Sequence, residues 1–117
     1  MTRRGDVVLV DFPFTDIPRS KKRPAVVVQN DRDNQKIRKT VVAMITGNLN
    51  RLGDSSHLLI DPATAEGASS DLNGRSLVSC NNLYTLEQDC IQKTLGHLSD
   101  ALKQALNDCL KSALESH

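Results

Sequence analysis

The sequence predicts a mainly β fold with one C-terminal helix, arranged as an antiparallel, partly closed β-barrel. Short apolar runs rich in β-branched residues recur along the chain, each bounded by Gly, Pro, Asp or Asn. The connections between them are too short for the crossover helices that parallel strands require. Near the end of the chain the apolar period changes from strand-like to helix-like.

The elements follow in order. Val7 to Val10 and Ala25 to Val28 are continuous apolar runs, which predicts two strands buried on both faces or nearly so. Asn30 to Lys39 is polar and charged and reads as a connection. Thr40 to Thr46 is a third strand, closed by Gly47 and Asn48, and Leu49 to Ser56 is another polar loop. His57 to Ile60 is a short fourth strand stopped by Asp61 and Pro62. Ala63 to Asn73, small and polar, reads as a mobile surface connection. Asn73-Gly74 suggests a tight turn into a fifth strand, Arg75 to Cys80. Cys90 to Leu95 suits a sixth strand, and Glu87 to Asp89 equally suits the opening of a short helical turn. Finally Leu102, Ala105, Leu106, Cys109, Leu110, Ala113 and Leu114 repeat at three- and four-residue steps, the pattern of one helical face. Ser99 is placed to cap that helix, and Asp100 adds a negative charge in its first turn.

Composition bounds the function. A chain of 117 residues predicts a single domain spanning 1–117. With no Trp, one Tyr and two Phe, the core must be built from Val, Leu, Ile and Ala, and base-stacking platforms are disfavoured. A formal net charge of +1 leaves no global field to attract a polyanion, so any anion site must be local. The densest candidate is the cluster Arg19, Lys21, Lys22 and Arg23, at the end of the loop between the first two strands. Cys80, Cys90 and Cys109 form no CxxC pair and read as reduced thiols packed as small hydrophobes. His57, His97 and His117 have no metal-ligand spacing, so neither a metal nor a cofactor is expected. The chain has no signal-peptide pattern and no long apolar run, which predicts a cytoplasmic protein without a membrane partner.

The segments GDVVLVDFPFTD, KRPAVVVQND and VVAMITGN resemble the MazF/PemK-type toxins of toxin–antitoxin pairs. DLNGRSLVSCNNLYTL, LGHLS and the amphipathic helix are similar to that family's second half in order and spacing. The resemblance implies a small SH3-like β-barrel with a C-terminal helix, usually a homodimer, held in check by a cognate antitoxin that occupies the RNA groove. It further implies a metal-independent endoribonuclease acting on single-stranded RNA, often mRNA, at short motifs. In that reaction the ribose 2′-hydroxyl attacks the adjacent phosphorus, leaving a 2′,3′-cyclic phosphate and a 5′-hydroxyl. The family's two principal catalytic positions fall on Arg23 and Thr46.

Those residue types suit the chemistry. RNA supplies its own nucleophile, so the enzyme must stabilise charge on the non-bridging oxygens and manage two protons. Arg23 offers a permanently charged planar fork for a phosphate, and Thr46 a compact hydroxyl at a strand end. Arginine does not ordinarily give up its proton, so Arg23 as the general base requires an unusual environment. Some family members carry an assisting Arg and Asp on the fifth strand. The matching positions here are Ser79 and Asn81, and neither is a good acid or base. Asp16, Asp31 and His57 remain candidates for the base. Arg19, Lys21 and Lys22 are candidate contacts to the RNA backbone, and Asn30, Asn48, Asn81 and Asn82 to base edges. Two rival readings stay open: a barrel of this kind acting by protein contact, as gyrase-poisoning toxins of similar fold do, and a toxin that has lost cleavage.

Overall fold

A computed structural model describes residues 2–12 and 21–115. Six strands, β1 (Asp6–Phe12), β2 (Lys21–Val27), β3 (Lys39–Thr46), β4 (His57–Ile60), β5 (Ser76–Glu87) and β6 (Ile91–His97), pair antiparallel in one sheet. Their order is β4-β5-β3-β2-β1-β6, so β4 and β6 are edges and the sheet curls without closing. The expectation of an antiparallel, loosely barrel-like sheet holds, with closure incomplete.

Alternation explains why β1, β2 and β3 carry continuous apolar runs: both faces of the sheet are covered. Val7, Val26, Ala43, Ile45, Leu58, Ile60 and Val78 form one core with the C-terminal helix α2 (Asp100–Leu114), which inserts Leu106 and Cys109. On the opposite face Val8, Val10, Ala25, Val27, Val42, Met44 and Leu86 form a second core, flanked by Cys90 and Ile91. Helix α2 begins where Ser99 accepts the Leu102 N–H at 3.2 Å, as its sequence suggests. Leu114, on the apolar stripe, is 68% exposed.

Three expectations need correction. Asn30 to Lys39 is not only a connection: Asp31–Lys36 form a short helix, α1, with Asn30 as its cap. A helix this short is unstable alone. It is held by buried Asn34, whose Oδ1 accepts from Thr40 Oγ1 at 2.7 Å and from Gln29 Nε2 at 2.8 Å. Gln88 then ties the end of α1 to the β5–β6 turn, donating to the carbonyls of Asn34 and Ile37.

The second correction concerns Ala63 to Asn73, which lies on the surface as expected but is anchored at buried Gly67 and Ser70. It contains a 3₁₀ turn, Ala68–Ser70, and Ser69 Oγ donates to the His97 carbonyl at 2.7 Å. A Cβ at Gly67 would lie 2.1 Å from the Asp61 carbonyl oxygen, and one at Gly96 would lie 2.2 Å from that of Ser69. Glycine is therefore required at both close approaches.

Third, β5 does not stop at Cys80. Ser79 pairs with Met44 and Leu83 with Ala43, so Cys80, Asn81 and Asn82 bulge out of the β3 ladder before pairing resumes. The Cys80 N–H is satisfied by the Ser56 carbonyl at 3.0 Å. A 3₁₀ turn, Gln88–Cys90, follows β5, and β6 begins at Ile91. No helix among the described residues is long and apolar enough to cross a membrane.

Candidate active site

Sheet register sets Arg23 and Thr46 on one face. β2 and β3 pair as Ala25↔Met44, Val26↔Ala43 and Val27↔Val42. Continuing that register by two residues places Arg23 opposite Thr46. Cross-strand partners in an antiparallel sheet share a face, so both lie on the face of Ala25 and Met44. Their outer neighbours in the same row are Val10 on β1, opposite Arg23, and Leu77 on β5, opposite Thr46. Val10 and Leu77 are fully buried, whereas Arg23 is exposed and Thr46 half-buried. The pair therefore stands at the rim of an apolar floor, where a bound phosphate would be partly shielded from water and a guanidinium contact correspondingly stronger.

Local hydrogen bonding prepares Thr46 as a donor. Its Oγ1 accepts the Asn48 N–H at 3.1 Å, and Asn48 Oδ1 accepts the Asn50 N–H at 2.9 Å. This turn fixes the side chain while leaving the threonine hydroxyl proton available to an anionic oxygen. The Asn48 side chain is exposed beside it, with its amide nitrogen free to face a base edge.

A second row on the same face lies two residues away along the strands: His57 on β4, Ser79 on β5, Met44 on β3, Ala25 on β2 and Val8 on β1. Ser79 is buried and His57 half-buried. Asn81 and Asn82 are both exposed in the β5 bulge, a re-aimed segment for which the residue pattern held no signal.

Other candidates do not join this face. Lys22 is exposed and pairs across to Asp11, and alternation sends it to the side of β2 away from Arg23. Asp11 has a buried Oδ1 without a hydrogen-bond partner among the described residues. Asp31 lies beyond the far end of β2, where its carboxylate accepts the Arg4 N–H at 2.6 Å, so it is not placed to act as the base. Asn30 is likewise occupied at that end, accepting the Asp33 N–H at 2.9 Å as the α1 cap rather than meeting a base. Arg19 and Asp16 lie outside the described residues, as does the side chain of Lys21.

Among the described residues no group of three His, Cys, Asp or Glu side chains is placed to hold a metal ion. The three cysteines are free, as expected of packed thiols. Burial pushes the Cys80 thiol up to about 12, with a further contribution from neighbouring Cys109. Burial also raises Cys109.

Comparison with known proteins accords with this geometry. Residues 3–114 match the model of the PemK-like, MazF-like toxins of type II toxin–antitoxin systems. The chain is 30% identical over 118 aligned positions to an endoribonuclease MazF of Staphylococcus saprophyticus, covering 100% of this chain and 94% of that protein. Among solved structures, a mycobacterial endoribonuclease in complex with its cognate antitoxin superposes with a TM-score of 0.77 at 23% identity, covering 97% of this chain and 95% of the other. MazF of a Deinococcus radiodurans MazE–MazF complex superposes with a TM-score of 0.73 at 17% identity, covering 97% and 95%. These two likenesses speak for the fold, and the family match for kinship. The chain belongs to the PemK-like, MazF-like toxin family of type II toxin–antitoxin systems.

Proposed function

We propose that this chain is a toxin endoribonuclease that cuts single-stranded RNA, mRNA foremost, at a short sequence motif. The observation that carries the reading is that the β2–β3 register, extended by two residues, sets exposed Arg23 and half-buried Thr46 on one face of the sheet. Family membership supports the same reading.

The ribose 2′-oxygen forms a bond to phosphorus while the bond to the 5′-oxygen breaks, giving a 2′,3′-cyclic phosphate and a 5′-hydroxyl. Negative charge concentrates on the non-bridging oxygens as the phosphorus becomes five-coordinate. The Arg23 guanidinium meets that charge with a two-pronged set of donors, and the Thr46 hydroxyl donates to the same group. Neither step needs a metal, because the attacking hydroxyl is already held beside its phosphorus. Asn48 and Asn81 contact base edges near the scissile position, and Arg19 and Lys21 supply backbone contacts. The toxin works in the cytoplasm as a homodimer, and a cognate antitoxin neutralises it by occupying the RNA groove. A monomeric mass in solution at micromolar concentration would contradict the dimer.

The test is incubation of the purified protein with long single-stranded RNAs in excess chelator, beside Arg23→Ala and Thr46→Ala variants. Wild type should release discrete fragments with cyclic-phosphate ends. Each variant should be slower by about 10²–10³-fold, the usual loss for a donor aimed at transition-state charge. No cleavage of several diverse RNAs by wild type would overturn the enzyme reading in favour of a toxin acting through protein contact.

A further inference from the structure

We propose that His57 accepts the proton of the attacking 2′-hydroxyl. This deepens the ribonuclease reading above and rests on it. His57 opens β4 and pairs with Ser79, whose other partner is Met44, while Leu77, two residues along β5, pairs with Thr46. The imidazole therefore shares the sheet face of the Arg23–Thr46 pair, on the far side of the short Ser79 side chain. Two strand spacings of about 4.8 Å and two residue rises of about 3.3 Å separate the His57 and Thr46 backbones by roughly 12 Å along the diagonal. A phosphodiester held by the Thr46 hydroxyl and reached by the imidazole fills that gap.

The ring is also held in a useful orientation. Nδ1 lies 3.0 Å from Ser56 Oγ, and Nε2 has no hydrogen-bond partner among the described residues. With Nδ1–H donating to Ser56 Oγ, the Nε2 lone pair is the free acceptor. The alternatives on this face fail on chemistry. Arg23 keeps its proton, and Ser79 and Asn81 are not bases. Thr46 Oγ1 already accepts the Asn48 N–H. In the turn before β4, Arg51 and Asp54 pair with each other, and the Asp54 carbonyl accepts the His57 N–H at 3.0 Å.

The step balances without a co-reactant. The 2′-oxygen bonds to phosphorus as its proton passes to Nε2. The 5′-oxygen leaves with the electron pair of the broken bond and takes a proton from solvent, and the imidazolium then returns one to solvent.

The experiment compares wild type, His57→Gln and His57→Gly in cleavage of one RNA across pH. Binding is measured in parallel with the same RNA carrying a 2′-deoxy sugar at the scissile nucleotide. His57→Gln should bind this uncleavable RNA as wild type does but cleave about 10²–10⁴-fold more slowly. A general base must be unprotonated to act, so the wild-type rate should fall on the acid side, and His57→Gln should lose that limb. Free imidazole should restore part of the His57→Gly rate, a response that a purely structural role would not produce.

If His57→Gln keeps the wild-type rate and pH limb while Arg23→Ala is inactive, the His57 assignment falls and the ribonuclease reading stands. Loss of binding equal to the loss of rate, or no response to imidazole, likewise overturns His57 as the base. Absence of cleavage by wild type removes both readings together.

Discussion

Replacing Asn34 with Ala tests why a six-residue polar segment is helical at all. The side chain is 4% exposed and makes three close hydrogen bonds. It accepts from Thr40 Oγ1 at 2.7 Å and Gln29 Nε2 at 2.8 Å, and it donates to the Gln29 carbonyl at 3.0 Å. Thr40 is 0% exposed, so truncation strands its hydroxyl away from water at about 1–3 kcal/mol. The two bonds to Gln29 are only partly buried and exchange for water, at about 0.5–1 kcal/mol each. Alanine's better helix propensity returns about 0.6 kcal/mol. The net loss should be about 1.5–4.5 kcal/mol. Thr40→Val alone should cost about 1 kcal/mol, because it removes the buried donor rather than stranding it. The double variant should therefore lose at least about 1 kcal/mol less than the two single losses combined. Urea unfolding followed by circular dichroism, at one fixed protein concentration, reads all three. A loss below about 1 kcal/mol for Asn34→Ala, or strict additivity in the double variant, would refute the network as the support of α1.

Two further predictions concern the scaffold. Gly96→Ala places a Cβ 2.2 Å from the Ser69 carbonyl oxygen and 2.8 Å from that of Ser70, so it should cost at least about 2 kcal/mol by urea unfolding. Gly74→Ala meets nothing within 4 Å and should stay within about 0.5 kcal/mol of wild type; equal losses at the two sites would contradict the packed connection. For Cys80, burial pushes the thiol from its ordinary 9.0 up to about 12 in the folded chain. Above pH 9 the unfolded state loses this proton while the folded state keeps it, so unfolded chains bind fewer protons and stability falls with rising pH toward 12. Cys80→Ala should flatten that alkaline decline in urea midpoints measured from pH 8.5 upward, and an unchanged decline would count against the buried-thiol account.

What the residues announced in advance depended on how local the signal was. β1 and β2 were legible because burial on both faces leaves unbroken apolar runs. Helix α2 was legible because Ser99 and the Leu102-to-Ala113 stripe encode it within a few turns. By contrast, α1 has no apolar face, and its stability comes from Thr40, Gln29 and Gln88, which are separate in sequence from the segment that they hold. The connection after β4 looked loose because Gly67 and Gly96 read as flexibility, when each is a point of close backbone contact.

The site divides in the same way. Arg23 and Thr46 were identifiable one at a time, but their shared row is a matter of register, which short strands do not specify in isolation. Lys22 looked equivalent to Arg23 in the basic run, yet alternation sends the two to opposite faces. Asp31 looked like a free carboxylate until the fold placed the Arg4 N–H on it. The alignment of His57 with Ser79, in the row beside Thr46, required both the β4–β5 and β3–β5 ladders to be known.

The central claim is that Arg23 and Thr46 act as one unit on a single phosphate, and a double-mutant cycle on the cleavage step tests it most directly. Single-turnover rates on one RNA in excess chelator are compared for wild type, Arg23→Ala, Thr46→Ala and the double variant. Groups that stabilise the same transition-state charge are non-additive, so the double variant should be little slower than the slower single. Losses that multiply in full, or a wild-type rate in either single variant, would contradict joint action of the two residues that the extended β2–β3 register sets on one face of the sheet.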